Sequence, residues 1–280
     1  MITNTKEMLQ KALTNHYAVA HFNINNLEWA RFILEECAFL NKPVILGVSE
    51  SAIEYMGGYH VVVSLIKSLI TDLNIKTAVA IHLDHGSVDA CKRAIEAGFT
   101  SVMIDASKYD LKTNIELTKQ IVLIAHENNV TVEAEIGYIG KSKEPVYVDI
   151  EDACKFVNET KIDSLAPAVG NVHGLYTGKP KIDVEKIKKL QNILNIPLVL
   201  HGGTGIGDEE LKQIIESGIT KVNINTELQI AWTKAIKEYL NQNPDIYDPR
   251  KIIKSGEKAI KEAVRHKLQI LSWKECLWNN

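Results

Sequence analysis

Short runs rich in apolar and β-branched residues recur along the chain, each followed by a longer stretch whose apolar positions repeat with helical spacing. The strand-like runs are Ala18–Ile24, Val44–Val48, Val79–Leu83, Ser101–Ile104, Thr131–Glu135, Ser164–Val169, Pro197–Leu200 and Lys221–Ile224. Helical stretches between them include Leu27–Leu40, Val88–Ala97, Leu111–Asn128, Asp183–Asn192 and Asp208–Ser217. Eight strands separated by helices imply a parallel sheet, because parallel neighbours need a crossover. Eight such units predict an α/β fold, a closed (β/α)8 TIM barrel. Most runs are apolar almost throughout, as expected where the barrel interior and a helix layer bury both faces. Asp183 and Asp208 stand where helix N-caps belong, and Gly98 and Gly218 where helices end. A doubly wound sheet would want a glycine fingerprint after its first strand, and His21-Phe22-Asn23-Ile24-Asn25-Asn26 has none. Past the eighth strand the chain continues through Glu227–Asn241, Tyr247-Asp248-Pro249-Arg250 and a helix to about Leu271, a C-terminal helical extension.

Length fits this picture. A barrel of this kind commonly uses about 250 residues as one unit, so residues 1–280 read as a single barrel domain without a linker. The composition, 45% hydrophobic and 24% charged, is that of a globular chain. Cys37, Cys91, Cys154 and Cys276 lie far apart with no CxxC pair, which suits reduced thiols in a cytoplasmic protein. No stretch approaches the roughly 18 apolar residues of a membrane span, and the first residues lead into a polar amphipathic helix unlike a signal peptide. A net charge of −3 and the lack of a basic stripe argue against nucleic acid as a partner.

In such barrels the C-terminal strand ends carry the chemistry. The unusual polar residues fall there: His82, Asp84 and His85 after the third strand, Asp105 after the fourth, and Glu133 and Glu135 in the fifth. His173 follows the sixth, His201 and Gly202-Gly203-Thr204-Gly205 the seventh, and Asn223, Asn225 and Thr226 close the eighth. The opposite ends carry Lys76, Pro197 and Lys221, with nothing resembling a site. His85, His173 and His201 come from separate strands that could face one pocket, and three imidazoles with an open fourth position are a familiar zinc arrangement. The competing reading is three hydrogen-bonded rim histidines, and spacing alone leaves it open. Asp84 sits where a carboxylate can reach substrate as a general acid or base, but an N-cap or a ligand-orienting partner fits the same position. The two glycine- and asparagine-rich turns after strands seven and eight suit a phosphate site, where backbone N–H groups approach the anion. Gly174 and Lys179 could add donors.

Taken together, the runs Ile81–Gly86, Ser101–Asp105, Val132–Gly137, Leu165–Gly174, Pro197–Gly205 and Lys221–Glu227 resemble the class II fructose-bisphosphate aldolase family in order and spacing. The resemblance covers nearly the whole chain. It implies reversible aldol cleavage of fructose 1,6-bisphosphate to dihydroxyacetone phosphate and glyceraldehyde 3-phosphate, as in glycolysis and gluconeogenesis. It implies one catalytic zinc at His85, His173 and His201, with Glu135 close to the metal and Asp84 as the acid/base. Gly174, Gly202, Gly203, Thr204, Asn223, Ile224, Asn225 and Thr226 would hold the phosphate half, Ser49 would lie near the other half, and Asp105 would stand at the mouth. A monovalent cation (sodium or potassium) near the phosphate and a homodimer or homotetramer are further implications.

Two departures from the family pattern stand out. The segment after Glu135 is shorter than the family's usual mobile loop, and Glu144 is its one carboxylate that could move the second proton. An arginine common in fructose-specific members appears as Glu257, which would leave Arg250 or Lys254 to meet the second phosphate. The competing functions are tagatose 1,6-bisphosphate cleavage, a zinc-dependent barrel hydrolase, a Schiff-base aldolase and a non-catalytic barrel. A barrel hydrolase usually carries a His-x-His pair at the end of its first strand, whereas His21-Phe22-Asn23 offers one histidine. Lys221 enters its strand at the wrong end for a Schiff base.

Overall fold

The computed structural model describes residues 1–137, 145–174, 176 and 178–272. The apolar runs become β1 (Val19–Asn23), β2 (Val44–Ser49), β3 (Val79–Gly86), β4 (Ser101–Ile104), β5 (Thr131–Ile136), β6 (Ser164–Pro167), β7 (Leu198–Leu200) and β8 (Ile219–Ile224). Each pairs in parallel with the next, and β1 pairs with β8, with His21 opposite Asn223, so the barrel is closed. Helices α1 (Lys6–Asn15), α2 (Leu27–Phe39), α3 (Glu50–Met56), α4 (Tyr59–Asp72), α5 (Val88–Ala97), α6 (Leu111–Glu127), α7 (Ile150–Thr160), α8 (Val184–Leu194), α9 (Asp208–Glu216) and α10 (Thr226–Gln242) accompany the strands. The extension follows as α11 (Pro249–Lys254) and α12 (Glu257–Leu271). No helix among the described residues is long and apolar enough to cross a membrane.

Local chemistry sets the helix ends. Asp183 accepts from the Lys186 amide at 2.9 Å and caps α8 as expected. Asp208 is not a cap. Gly207 holds that position, and Asp208 opens the helix proper, where its charge favours the positive helix end. Gly98 ends α5 at φ 98, and Gly218 follows the cap residue Ser217 at φ 121.

The core lies mainly between the strands and the helix layer, and α1 closes the N-terminal mouth by burying Met8, Leu9 and Ala12 against Val19, Ile45 and Ala80. Helix α12 returns across α2, tied by Arg265 to Glu36 at 2.7 Å and by Lys261 to Glu35 at 2.6 Å. Lys261 also holds Glu257 at 2.6 Å, so the residue standing in place of the arginine is part of an intrachain ion-pair cluster. Arg250 is paired with Asp248 at 2.9 Å.

Inside the barrel the structure departs from the expected apolar filling. Strands that are not neighbours in a closed sheet touch only across its interior, and polar residues do so here above the apolar layer under α1. His21 on β1 meets His82 on β3, and Lys221 on β8 pairs with Glu133 on β5 at 2.7 Å. His82 and Glu133 are therefore interior residues within their strands, not strand-end residues. Lys221 does not mark an inert rim either, since its side chain is fully buried in the barrel core.

Candidate functional site

The C-terminal ends of the strands gather the predicted histidines. His85, His173 and His201 have ring centroids 4.8 Å apart for His85 and His173, 4.8 Å for His85 and His201, and 5.6 Å for His173 and His201. One ligand atom from each, together with a carboxylate oxygen of Glu135, falls within a mutual 4.8 Å. His85 reaches the pocket through an irregularity. The β3–β4 register shifts between Leu83 and Gly86, and His85 takes a left-handed φ of 51, a conformation uncommon outside glycine and concentrated at functional sites.

Two of the rings have their pocket-facing nitrogen set by a partner on the other side. His85 Nδ1 bonds Asp105 Oδ2 at 2.7 Å, leaving Nε2 to face inward. His201 Nε2 bonds Glu133 Oε1 at 2.9 Å, leaving Nδ1 inward. Those two inward nitrogens stand 3.0 Å apart. Two lone pairs cannot share that distance without a proton or a cation to hold them. Carboxylate–histidine pairs of this kind accompany metal ligands and fix their orientation. The donor set of three imidazoles and one carboxylate fits a divalent zinc ion.

The electrostatics agree. Burial would lower the His85 pKa, but the carboxylates of Asp84, Asp105 and Glu135 outweigh it and raise it to about 9. The site thus favours positive charge where the rings meet. Burial likewise opposes ionisation of Asp105, yet its bonds to His85 and Ser107 bring it down to about 2. His201 is held well below the usual imidazole range by burial and by the His85 and Lys221 charges.

Asp84 projects beside these rings, 7% exposed. Its Oδ2 accepts from Asn23 Nδ2 at 2.8 Å and its Oδ1 from Asn223 Nδ2 at 3.4 Å. It caps no helix; Ser87 caps α5. Burial favours the neutral acid, but the surrounding His21, His85, His201 and Lys221 hold Asp84 well below the ordinary carboxylate range. It stands as an ionised proton acceptor at neutral pH.

The turns after β7 and β8 also come together. Gly202 and Gly205 adopt φ 69 and 86, and a Cβ on Gly202 would collide with the Val172 carbonyl. The Gly203 amide is spent on the Asn223 carbonyl at 3.0 Å, so this residue shapes the turn and offers no N–H to an anion. Thr204 Oγ1 accepts from the Glu227 amide at 3.3 Å. Asn225 precedes α10 without capping it through its side chain; its carbonyl accepts from the Leu228 and Gln229 amides at 3.0 and 3.3 Å. Asn223 and Ile224 end β8 at this turn, and Thr226 begins α10. Gly174 has φ 86 with open space around it, and Lys179 is exposed.

Ser49 caps α3, accepting from the Ala52 amide at 3.3 Å. With Asn23, Asn25, Asn26, Trp29, Asn225 and Trp232 it lines a cavity of about 650 Å³ at the barrel mouth. Glu144 lies outside the described residues. Asn23 was not among the sequence candidates, although its place at the end of β1 is the same signal that marks the others. Asp105 holds the His85 ring in place through its 2.7 Å bond. Glu133 and Lys221 form a support whose long-range pairing no local pattern records.

A family model described as "Fructose-bisphosphate aldolase class-II" matches residues 3–275. The chain is 50% identical over 275 residues to a fructose-bisphosphate aldolase of Geobacillus stearothermophilus, covering 96% of both chains. It is 47% identical over the same length, with the same coverage, to one of Staphylococcus aureus. Among solved structures, the YdjI aldolase from Escherichia coli K12 superposes with a TM-score of 0.86 at 33% identity, covering 97% of this chain and 98% of that one.

Proposed function

Because the chain belongs to the class-II fructose-bisphosphate aldolase family, we propose that it cleaves fructose 1,6-bisphosphate reversibly at the barrel mouth, with Asp84 moving the proton. The observation that carries this assignment is the meeting of His85, His173 and His201 beside the ionised Asp84. His85, His173 and His201, with Glu135 next to them, would hold a zinc ion. When bound, such an ion supplies a Lewis acid that draws electron density from the substrate's ketone as the bond beside it breaks.

The remaining work falls to the chain's own groups. Asp84 accepts the proton of the C4 hydroxyl while the C3–C4 bond breaks, the bonding electrons pass to C3, and C4 leaves as the aldehyde. In condensation the same carboxyl returns the proton to the aldehyde oxygen. Asn23 and Asn223 hold the carboxylate in place through the bonds described above. C3 then takes a proton, a step we assign to Glu144 on the family resemblance. The Gly202–Gly205 turn, Asn223 to Thr226 and Gly174 anchor the phosphate of the ketose half. The positive end of the α10 dipole favours an anion there, and anchoring away from the reacting bond supplies orientation. Lys179 adds charge at the rim, Ser49 lies toward the aldehyde half, and a sodium or potassium ion accompanies the phosphate. We further infer a cytoplasmic location, from the widely spaced cysteines, and a homodimer or homotetramer, on the family resemblance.

The test is release of triose phosphates from fructose 1,6-bisphosphate by purified protein. We predict that Asp84→Ala keeps its zinc and loses about 10²–10⁴-fold in turnover. An undiminished rate in that variant would move proton transfer to another group.

A further inference from the structure

Below the three-histidine pocket the barrel interior holds a second group of metal-ligating side chains. His21 and His82 meet edge to face with ring centroids 5.4 Å apart, and Asp84 Oδ2 stands 3.9 Å from His21 Nε2. One nitrogen of each ring and one oxygen of Asp84 lie within 4.8 Å of one another. His21 and His82 are 0% and 1% exposed.

The polar atoms aimed into this space are unsatisfied. Among the described residues, neither ring nitrogen of His21 has a hydrogen-bond partner, and neither does Nε2 of His82. The other nitrogen of His82 is bonded to Ser101 Oγ at 2.8 Å, which fixes Nε2 toward the interior. Leaving a buried donor or acceptor unmade destabilises the fold. Loose packing does not explain the arrangement, because a Cβ on Gly47 would overlap the His21 ring, so β2 gives up a side chain to admit it.

A bound species that accepts one lone pair from each imidazole and a carboxylate oxygen satisfies His82 Nε2 and one of the two His21 nitrogens. That nitrogen–oxygen donor set matches zinc. Burial and the Lys221 charge lower the His21 pKa to about 3, so its lone pair is available at neutral pH. Lys221 would oppose a cation, but its charge is matched by Glu133 at 2.7 Å.

We propose that His21, His82 and Asp84 form a second zinc site inside the barrel, and that filling it inhibits the enzyme by occupying the Asp84 carboxylate. The inhibitory half of this proposal rests on the reading of Asp84 as proton carrier; the site itself does not. Its consequence is a biphasic response, in which cleavage rises with the first equivalent of zinc and falls with the second.

The experiment titrates metal-free full-length protein with zinc, counting bound zinc per chain by mass spectrometry and measuring cleavage at each point. Wild type is expected to bind two equivalents with maximal rate near one. His21→Gln is expected to bind one and to hold its maximum in excess zinc. Crystals of wild-type protein soaked in zinc, with data collected at the zinc absorption edge, should show an anomalous peak between His21, His82 and Asp84. Stoichiometry and peak position need no turnover, so they stand even if Asp84 carries no proton. One equivalent at saturation in wild type, or edge data without a peak between these three side chains, overturns the site. Two equivalents with no fall in rate overturn the inhibition.

Discussion

His85 carries a left-handed backbone at φ 51 and a pKa raised to about 9 within a ring of carboxylates. In metal-free protein this pKa makes a stability prediction. The folded value lies above the ordinary imidazole value of 6.5, so the protonated ring stabilises the fold below that pH, and the contribution is lost as pH rises through about 9. We therefore predict that the melting temperature of chelator-treated protein falls between those pH values. Asp105→Asn should flatten the fall, because it removes the 2.7 Å partner of His85. A melting temperature indifferent to pH over that window would contradict the charge state assigned to His85. Zinc binding displaces the same proton, so the loaded protein should lack the slope.

The strands were readable because their apolar, β-branched runs carry their own period, and most observed boundaries fall within a residue or two of the expected ones. Strand β3 ran longer than its apolar run because the register shift carries Asp84, His85 and Gly86 into the sheet. The interior polar layer was not readable. Whether His82 or Lys221 faces inward is settled by partners on distant strands, and the sequence places Lys221 88 residues from Glu133. The roles of Asp105 and Glu133 as ring-orienting groups were hidden for the same reason, since each acts on a histidine from another strand. Asp208 was misread as a cap because Gly207, with no side chain to signal, takes that place. The fit between His21 and Gly47 tests this layer directly. Gly47→Ala should destabilise the fold by about 1–3 kcal/mol through overpacking against the His21 ring. Combining it with His21→Ala should relieve that overlap. Denaturant unfolding of both singles and the double gives the coupling, and additive effects would mean that the two positions do not touch.

At the scale of the whole barrel, support for the three-histidine pocket runs from Lys221 through Glu133 to His201, by contacts of 2.7 and 2.9 Å in a fully buried interior. Removing one partner of such a pair strands a charge, so Lys221→Met should cost about 3–5 kcal/mol of stability. Adding Glu133→Gln should recover most of it while weakening zinc binding by about 10–100-fold, because His201 loses the carboxylate that holds its ring. Stability regained with zinc affinity intact would show that this pair supports the fold alone.

The central claim is that the three imidazoles act together on one divalent ion in aldol cleavage. The most direct measurement is the rate of triose phosphate release from fructose 1,6-bisphosphate by chelator-stripped protein, before and after one equivalent of zinc is returned. Loss of cleavage on stripping and its return with zinc is the result predicted. Undiminished cleavage by protein shown to be free of metal would contradict it.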